Sequence, residues 1–451
     1  MRRAIAFLVS CGLASLGVGA EGGETLVPET PARPDVVFLI ADDLGWADVG
    51  YHGSSIATPH IDRLAREGVR LERHYAAPTC TPTRVGLLSG RYPSRFGVLA
   101  PAYGKVFEDG TVTLASALRD AGYETALCGK WHMGSPPEFG PRRYGFDRSY
   151  GYFHGQIDPY THLYKTGERS WHRDDRFVEE TGHATDLITA EAVRILEAPR
   201  GRPLFLWVSY SVPHHPLSEP ERWTSSYEGR FDEPSRRWYA ASVTHMDDGI
   251  GRILEAVERT GRRSRTLVVF TSDNGAQRSW HSSTEYGGAY AARAHRALGD
   301  NRPWRGWKGE PYEGGIRVPA VAWWPGVLAP RAVEAPIHVV DWMPTVCRLA
   351  RAVPAAGAGT AAGAWDGRDV WPLLAGEAPV AARTLYWKTP AASAILRGDW
   401  KLVAWRRESR VELYDLGSDP REERDLAAAQ PARAAELRRL LDEAASGDRG
   451  R

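Results

Sequence analysis

The sequence predicts an α/β protein: a large doubly wound mixed sheet flanked by helices, followed by a smaller C-terminal α+β domain with a short antiparallel sheet and a helix. Three observations point there. Four short apolar runs, Val36–Ile40, Thr125–Leu127, Leu204–Val208 and Leu267–Phe270, are bounded by turn residues in the manner of buried parallel strands. Helical patterns lie between them, at Ile61–Gly68, Leu114–Ala121, Thr185–Leu196 and Tyr239–Val257. Beyond an Ala/Gly-rich stretch, Arg351–Ala364, come strand-like pieces at Thr384–Trp387, Ala394–Leu396, Trp400–Trp405 and Val411–Tyr414, then an amphipathic helix over Pro431–Ala445. We therefore divide the chain at 34–375 for the large domain and 376–445 for the small one.

The length and composition fit this plan. The chain has 451 residues, enough for a large core, and 43% hydrophobic with 25% charged residues is ordinary globular composition. The formal net charge of +1 argues against a nucleic-acid partner, which would call for a basic excess. Residues 1–20 read as a secretory signal peptide. Arg2 and Arg3 precede the apolar run Ala4–Val9, and Val18-Gly19-Ala20 offers a small-residue cleavage site. The run is too short to span a membrane, so no transmembrane segment is expected. Leu8-Val9-Ser10-Cys11 also resembles a lipobox, which makes anchoring through Cys11 the alternative to a periplasmic or secreted product. Cleavage after Ala20 leaves Cys80, Cys128 and Cys347, too few for a disulfide scaffold in a chain this long.

Each apolar run leads into reactive residues. Val36–Ile40 leads to Asp42 and Asp43, Thr125–Leu127 to Lys130 and His132, Leu204–Val208 to His214, and Leu267–Phe270 to Asp273 and Asn274. Ligands of doubly wound sheets bind beyond the carboxyl ends of the strands, so these segments converge on one edge. Asp42, Asp43, Asp273 and Asn274 offer only hard oxygen ligands, a set that suits Ca²⁺ or Mg²⁺ better than zinc. The same residue types also serve as turns and helix caps.

Cys80-Thr81-Pro82-Thr83-Arg84 places a cysteine at a helix start, where amide groups and the helix dipole favour negative charge. Read directly, Cys80 is a low-pKa thiolate nucleophile; the bland reading is a small buried hydrophobe. Arg84 lies one turn on and projects toward the same anion. In an extended segment Lys130 and His132 share a face. Prolines on both sides hold Pro213-His214-His215-Pro216 in a fixed loop. Only six of the 57 basic residues are Lys, and two of these, Lys130 and Lys308, sit beside the other candidates, which suggests a need for a compact point charge. One divalent cation against three carboxylates leaves about one negative charge, which Arg84, Lys130 and Lys308 reverse. The site suits a tetrahedral anionic ester, and charge alone does not separate sulfate from phosphate.

These motifs match a known family. Cys80–Arg84 followed by Leu88-Ser89-Gly90-Arg91-Tyr92-Pro93 resembles the type I sulfatase signature, and Gly129-Lys130-Trp131-His132-Met133-Gly134 resembles its second motif. The similarity runs from about Pro34 to about Leu426. Arg302–Lys308 with Glu313-Gly314-Gly315 resembles arylsulfatase B-like enzymes within that formylglycine-dependent branch of the alkaline phosphatase superfamily.

The resemblance implies that Cys80 is oxidised to formylglycine by a separate maturation enzyme. It implies that Asp42, Asp43, Asp273 and Asn274 bind Ca²⁺ together with residue 80. It further implies that a hydroxyl of the gem-diol attacks sulfur, with Asp273 a candidate proton acceptor, while Arg84, Lys130 and Lys308 stabilise the charge. His214 or Lys308 would protonate the leaving alcohol, and His132 would deprotonate the second hydroxyl.

The expected activity is removal of sulfate from a sulfated carbohydrate or aryl sulfate. Two alternatives stand beside it. One is a phosphate or phosphonate monoester hydrolase of the same superfamily, which often needs a second metal; no second carboxylate–histidine set is visible in the sequence. The other is a non-catalytic carbohydrate binder, with Trp280, Trp304 and Trp307 as stacking platforms. Tyr152–His183 and Gln277–Asn301 are expected to be long loops that shape the pocket.

Overall fold

A computed structural model of the chain describes Met1 and residues 33–352, 365–377 and 382–449. The expected signal peptide with Cys11, beyond Met1 itself, lies outside the described residues, as does 353–364 of the Ala/Gly-rich stretch. Among the described residues no helix is long and apolar enough to cross a membrane.

The chain runs β1 (Asp35–Ala41), α1 (Pro59–Glu67), β2 (Val69–Leu71), β3 (His74–Tyr75), α2 (Cys80–Ser89), α3 (Leu114–Asp120), β4 (Glu124–Lys130) and β5 (Arg148–Tyr152). It continues through β6 (Trp171–Arg173), β7 (Arg176–Phe177), α4 (Ala184–Glu197), β8 (Leu204–Ser209), α5 (Glu221–Thr224), α6 (Pro234–Arg259) and β9 (Thr266–Ser272). Next come α7 (Glu313–Ile316), β10 (Ala320–Trp323), β11 (Arg331–Val333), β12 (Ile337–His338), α8 (Trp342–Ala350) and α9 (Trp371–Ala375). The C-terminal part holds β13 (Thr384–Lys388), β14 (Ala392–Arg397), β15 (Trp400–Trp405), β16 (Val411–Asp415) and α10 (Pro431–Ala445).

Ten strands form one mixed sheet in the order β11-β2-β10-β9-β1-β8-β4-β5-β6-β7. The four strands expected from apolar runs, β9, β1, β8 and β4, are adjacent and parallel. In register, Ala41 lies beside Ser272, Ile40 beside Ser209, and Ser209 beside Gly129. The strands therefore end level with one another, and the segments leaving their carboxyl ends emerge at one edge. Their continuous apolar character has a simple cause. Val36, Phe38 and Ile40 face a core shared with α2, α3 and α8, whereas Val37, Leu39 and Ala41 face a core shared with α1, α4 and α6. A strand covered on both faces has no polar side to show.

Tyr152–His183 is only partly a loop. It contributes β6 and β7, which extend the sheet by antiparallel pairing beyond β5. Gln277–Asn301 is closer to expectation, pinned by a bridge between Trp280 and His295.

Strands β13–β16 form an antiparallel meander. One face packs on Leu437 and Leu441 of α10, and the other on Tyr75, Tyr312 and Ile316 of the large body. A buried charge cluster crosses that contact. Lys401 of β15 places its ammonium 2.9 Å from Glu313 of α7 and 2.8 Å from Glu422. Cys80, Cys128 and Cys347 are all free and buried, and Cys128 and Cys347 belong to the cores on opposite faces of the sheet.

Candidate active site

The parallel strands deliver their outgoing residues to one edge, and the side chains interlock there. Asp42 and Asp43 follow β1, and Asp273 and Asn274 follow β9. Asp42, Asp43 and Asp273 bring carboxylate oxygens within 4.8 Å of one another. The Asp43 backbone N–H donates to Asp273 Oδ1 (3.3 Å), and Asn274 Nδ2 donates to Asp43 Oδ1 (2.7 Å). Asp43 holds a positive φ of 67°, a conformation rare outside glycine that recurs where function requires it.

Fixed cations surround these acids. Lys130, the last residue of β4, donates from Nζ to Asp42 Oδ2 at 2.6 Å. Lys308 donates to Asp43 Oδ2 at 2.8 Å. Arg84 lies in α2, fully buried, and donates to Asp273 Oδ2 (2.8 Å), Ser209 Oγ (2.6 Å) and the Lys130 carbonyl (3.0 Å). Burial alone would lower the Lys308 ammonium. The carboxylate of Asp43 outweighs it, with Cys80 and Asp42 adding, and holds that group above its ordinary range. Burial pushes Asp42 up to about 8, with Lys130 opposing and the neighbouring carboxylates of Asp273 and Asp43 adding.

Cys80 begins α2 as expected and is 2% exposed. The low-pKa reading of its thiol does not hold. Burial pushes Cys80 above its ordinary value, and Lys130 and Lys308 do not reverse this. Lys130 and His132 also do not continue one extended segment. Strand β4 ends at Lys130, and His132 turns to φ 57°. Its carbonyl accepts from Thr81 Oγ1 at 3.0 Å, so the residue after Cys80 holds the His132 backbone. Both ring nitrogens of His132 are buried without a hydrogen-bond partner. Burial, then Lys130, Arg84 and Lys308, hold the ring well below the usual histidine value and so neutral. His214 is neutral for the same first reason, with Lys308 and Lys130 adding. Its Nδ1 contacts the His215 carbonyl (2.6 Å) and its Nε2 lies 3.8 Å from Asp43 Oδ2.

All ten residues singled out in the sequence therefore touch or electrostatically sense one another. Of three further contributors, His215 belongs to the loop already read from the sequence, and Ser209 and Gly155 carry no such signal. Ser209 anchors Arg84. His215 stacks on Trp280 (ring centroids 4.6 Å apart). Gly155 lies so close to His132 that a Cβ would sit 2.4 Å from ring atoms Cε1 and Nε2. Nothing local in the sequence announces such a packing contact. Asp43, His214 and His215 also group within ligand distance, so a second carboxylate–histidine set does exist, assembled from distant segments.

The donor chemistry fits a hard cation. Burial, with the carboxylates of Asp273 and Asp43 adding, pushes Asp42 upward, and Asp42 Oδ1 and Asn274 Oδ1 are buried oxygens without a hydrogen-bond partner. Orphaned oxygens converging with like charges are what a divalent ion satisfies.

A doubly wound sheet with oxygen donors, a buried guanidinium and two ammoniums at its carboxyl edge defines a class: an α/β protein with a site suited to a tetrahedral anionic ester. The relatives make this specific. Residues 34–352 match the Sulfatase family model. Mouse (Mus musculus) N-acetylgalactosamine-6-sulfatase is 31% identical, over 90% of this chain and 77% of its own. Mouse arylsulfatase J is 29% identical, over 91% of this chain and 76% of its own. The crystal structure of Ps i-CgsB in complex with k-i-k-neocarrahexaose superposes with a TM-score of 0.80 and 26% identity, covering 92% of this chain and 94% of that one. The chain belongs to the sulfatase family, and its activity is hydrolysis of a sulfate ester.

Proposed function

We propose that the protein removes sulfate from a sulfated glycan, using a formylglycine made from Cys80 and a Ca²⁺ ion held by Asp42, Asp43, Asp273 and Asn274 with residue 80. The observation that carries this reading is the meeting of three carboxylates, Arg84, Lys130 and Lys308 around the buried start of α2. The raised thiol of Cys80 supports it too, because an unmodified cysteine there is a poor nucleophile at neutral pH. The glycan is inferred from relatives: one is named an N-acetylgalactosamine-6-sulfatase and another was solved in complex with k-i-k-neocarrahexaose.

When bound, the cation supplies fixed positive charge at a sulfate oxygen, and the modified residue 80 supplies the attacking hydroxyl. The chain's own residues do the rest. Arg84, Lys130 and Lys308 cradle the sulfate oxygens and meet the charge that grows on them, in a site that excludes water. Lys308 Nζ holds the proton that goes to the leaving alcohol oxygen, since the neutral His214 ring turns its Nδ1–H to the His215 carbonyl and leaves Nε2 as an acceptor. His132, neutral and with free ring nitrogens, accepts a proton on the residue-80 side. The grouping of Asp43, His214 and His215 does not favour a second metal and a phosphate monoester. The Lys308 ammonium already lies 2.8 Å from the Asp43 oxygen that His214 approaches.

We further infer export through the N-terminal signal, by secretion or anchoring at Cys11, and maturation by a separate enzyme. The test is the mass of the peptide spanning Thr79–Arg84 from active protein. Replacement of sulfur by oxygen at residue 80 is expected. An unmodified thiol in fully active enzyme would overturn the mechanism.

A further inference from the structure

Beside His132 lies a cavity of about 680 Å³, large enough for a sugar ring and its neighbours. Tyr103, His154, Tyr164, Glu168, Arg169 and Phe177 are among its walls. We propose that it is a subsite for a neutral pyranose ring of the leaving alcohol, with Tyr103 as its stacking platform and Glu168 and Arg169 as its hydroxyl partners. The proposal rests on the sulfated-glycan reading above and names the part of the glycan that is read.

Position is the first argument. The cavity and the site share a wall. Gly155 packs against the His132 ring, and the preceding residue, His154, faces the cavity. The Tyr103 ring lies 5.9 Å from the His132 ring, and the Tyr103 carbonyl accepts from the Ser135 N–H at 2.8 Å. A group joined to an ester beside His132 has this cavity as its neighbour.

The lining is the second argument. Tyr103 is 46% exposed, one of only four exposed large apolar side chains among the described residues. An exposed aromatic ring at a cavity mouth is costly to keep in water, and its face suits the C–H face of a sugar. Tyr164 stiffens the wall by stacking on His154 (ring centroids 4.2 Å apart, 18° between planes).

Charge decides the ligand class. Glu168 and Arg169 stand side by side with opposite signs. His154 Nε2 lies 3.3 Å from Glu168 Oε2, while its Nδ1 meets Ser170 Oγ at 2.9 Å. Among the described residues the one ion pair of Arg169, to Glu179, is long at 3.9 Å and lies on the surface. The walls thus balance to no net charge while offering a carboxylate acceptor and a guanidinium donor. That suits the hydroxyls of an uncharged ring and not a second sulfate, which would need an unopposed cation. A second cavity of about 490 Å³, with Leu163, Trp171 and Val178 in its walls, shares Arg169 with this one.

The test uses the full-length protein and two neutral probes, galactotriose and N-acetylgalactosaminyl-β-1,4-galactose. Binding is measured by saturation-transfer NMR and calorimetry. At least one probe is expected to bind, with affinity falling about tenfold or more in Tyr103→Ala and in Glu168→Gln, and retained in Tyr103→Phe. Tyr103 and Glu168 are exposed enough that the fold should survive, which circular dichroism checks. Failure of both probes to bind, or equal binding by wild type and Tyr103→Ala, would overturn the subsite. The readout is independent of turnover. A protein that binds the neutral probes yet releases no sulfate from their sulfated forms would sink the proposed glycan sulfatase reading and leave the subsite standing.

Discussion

The loop that carries His214 and His215 is held from behind by a buried charge relay, and its strength is calculable. His245 of α6, 1% exposed, sets Nδ1 2.7 Å from Glu219 Oε2 and Nε2 3.3 Å from Asp186 Oδ1. The Trp223 ring stacks over it at 5.1 Å. The third member, His183, lies 3.5 Å from Glu219 Oε1 through Nε2. His183, Glu219 and His245 are close enough to hold a metal, yet the hydrogen bonds argue otherwise. The Thr185 N–H donates to His183 Nδ1 at 3.2 Å, which leaves the proton on Nε2, facing Glu219. His183 Nε2 is therefore a donor, and His245 is an imidazolium between two carboxylates.

Burial would lower His245, but the hydrogen bonds it donates to Asp186 and Glu219 outweigh it and hold the ring up to about 9, against 6.5 ordinarily. At about 1.4 kcal/mol per pH unit this is worth about 3 kcal/mol. A raised folded value means that the contribution is complete below pH 6.5 and fades as pH rises through 9. We expect the thermal midpoint of the wild type to fall by roughly 6 °C more between pH 6 and pH 9.5 than that of His245→Gln, taking about 2 °C per kcal/mol for a large domain. Differential scanning calorimetry at both pH values reads this directly. Equal losses in the two proteins would refute the charged relay.

Other expectations arise from the same geometry. Gly155→Ala forces the His132 ring to move, because the new methyl would meet it at 2.4 Å; turnover should fall about a hundredfold with little change in thermal midpoint, and unchanged kcat would show that His132 has room to spare. Lys401→Met leaves Glu313 and Glu422 buried without their cation and should cost about 3–5 kcal/mol, read by urea denaturation; a neutral effect would mean that the cluster contributes nothing net. Removing calcium with EGTA should lower the thermal midpoint as well as activity, and added Ca²⁺ should restore both, since a ligand of the folded state stabilises it; a midpoint indifferent to Ca²⁺ would argue against the carboxylate site. Cys80→Ala should fold normally, the side chain being small and buried, and should lose turnover of sulfate esters; retained activity would remove residue 80 from the chemistry.

Much of this fold is legible in the sequence because its strongest elements carry their own periodicity. Strand β1 extends the apolar run 36–40 by one residue at each end, and α10 has the expected bounds. Helix α6 begins at Pro234, ahead of Tyr239, because its first turn is polar and its apolar burial starts only at Tyr239. Strands β6 and β7 leave no local trace: three and two residues long, they exist through pairing with β5 and each other, which no local pattern encodes. In the site, the acids and lysines are legible through strand ends and motif resemblance. The contacts that orient them are not. Ser209 on Arg84, Gly155 on His132 and the positive φ of Asp43 and His132 arise only once the strands lie side by side. The Cys80 thiol departs from expectation for a related reason: a helix start suggests an acidic thiol, and only the folded surroundings reveal how dry that start is.

The Lys401 cluster carries a consequence for how the molecule comes into being. Glu313 begins the turn whose next residues, Gly314 and Gly315, press against Gly275, the residue after Asn274; a Cβ at Gly275 would sit 1.8 Å from the Gly314 carbonyl. The ammonium that neutralises Glu313 belongs to a strand made far later in synthesis. A nascent chain that has emerged only through β12 has its oxygen ligands but not the keystone behind them. Completion of the centre is thus deferred until the final strands leave the ribosome, and a chain cut short before β15 should stall as an unfinished, protease-sensitive body.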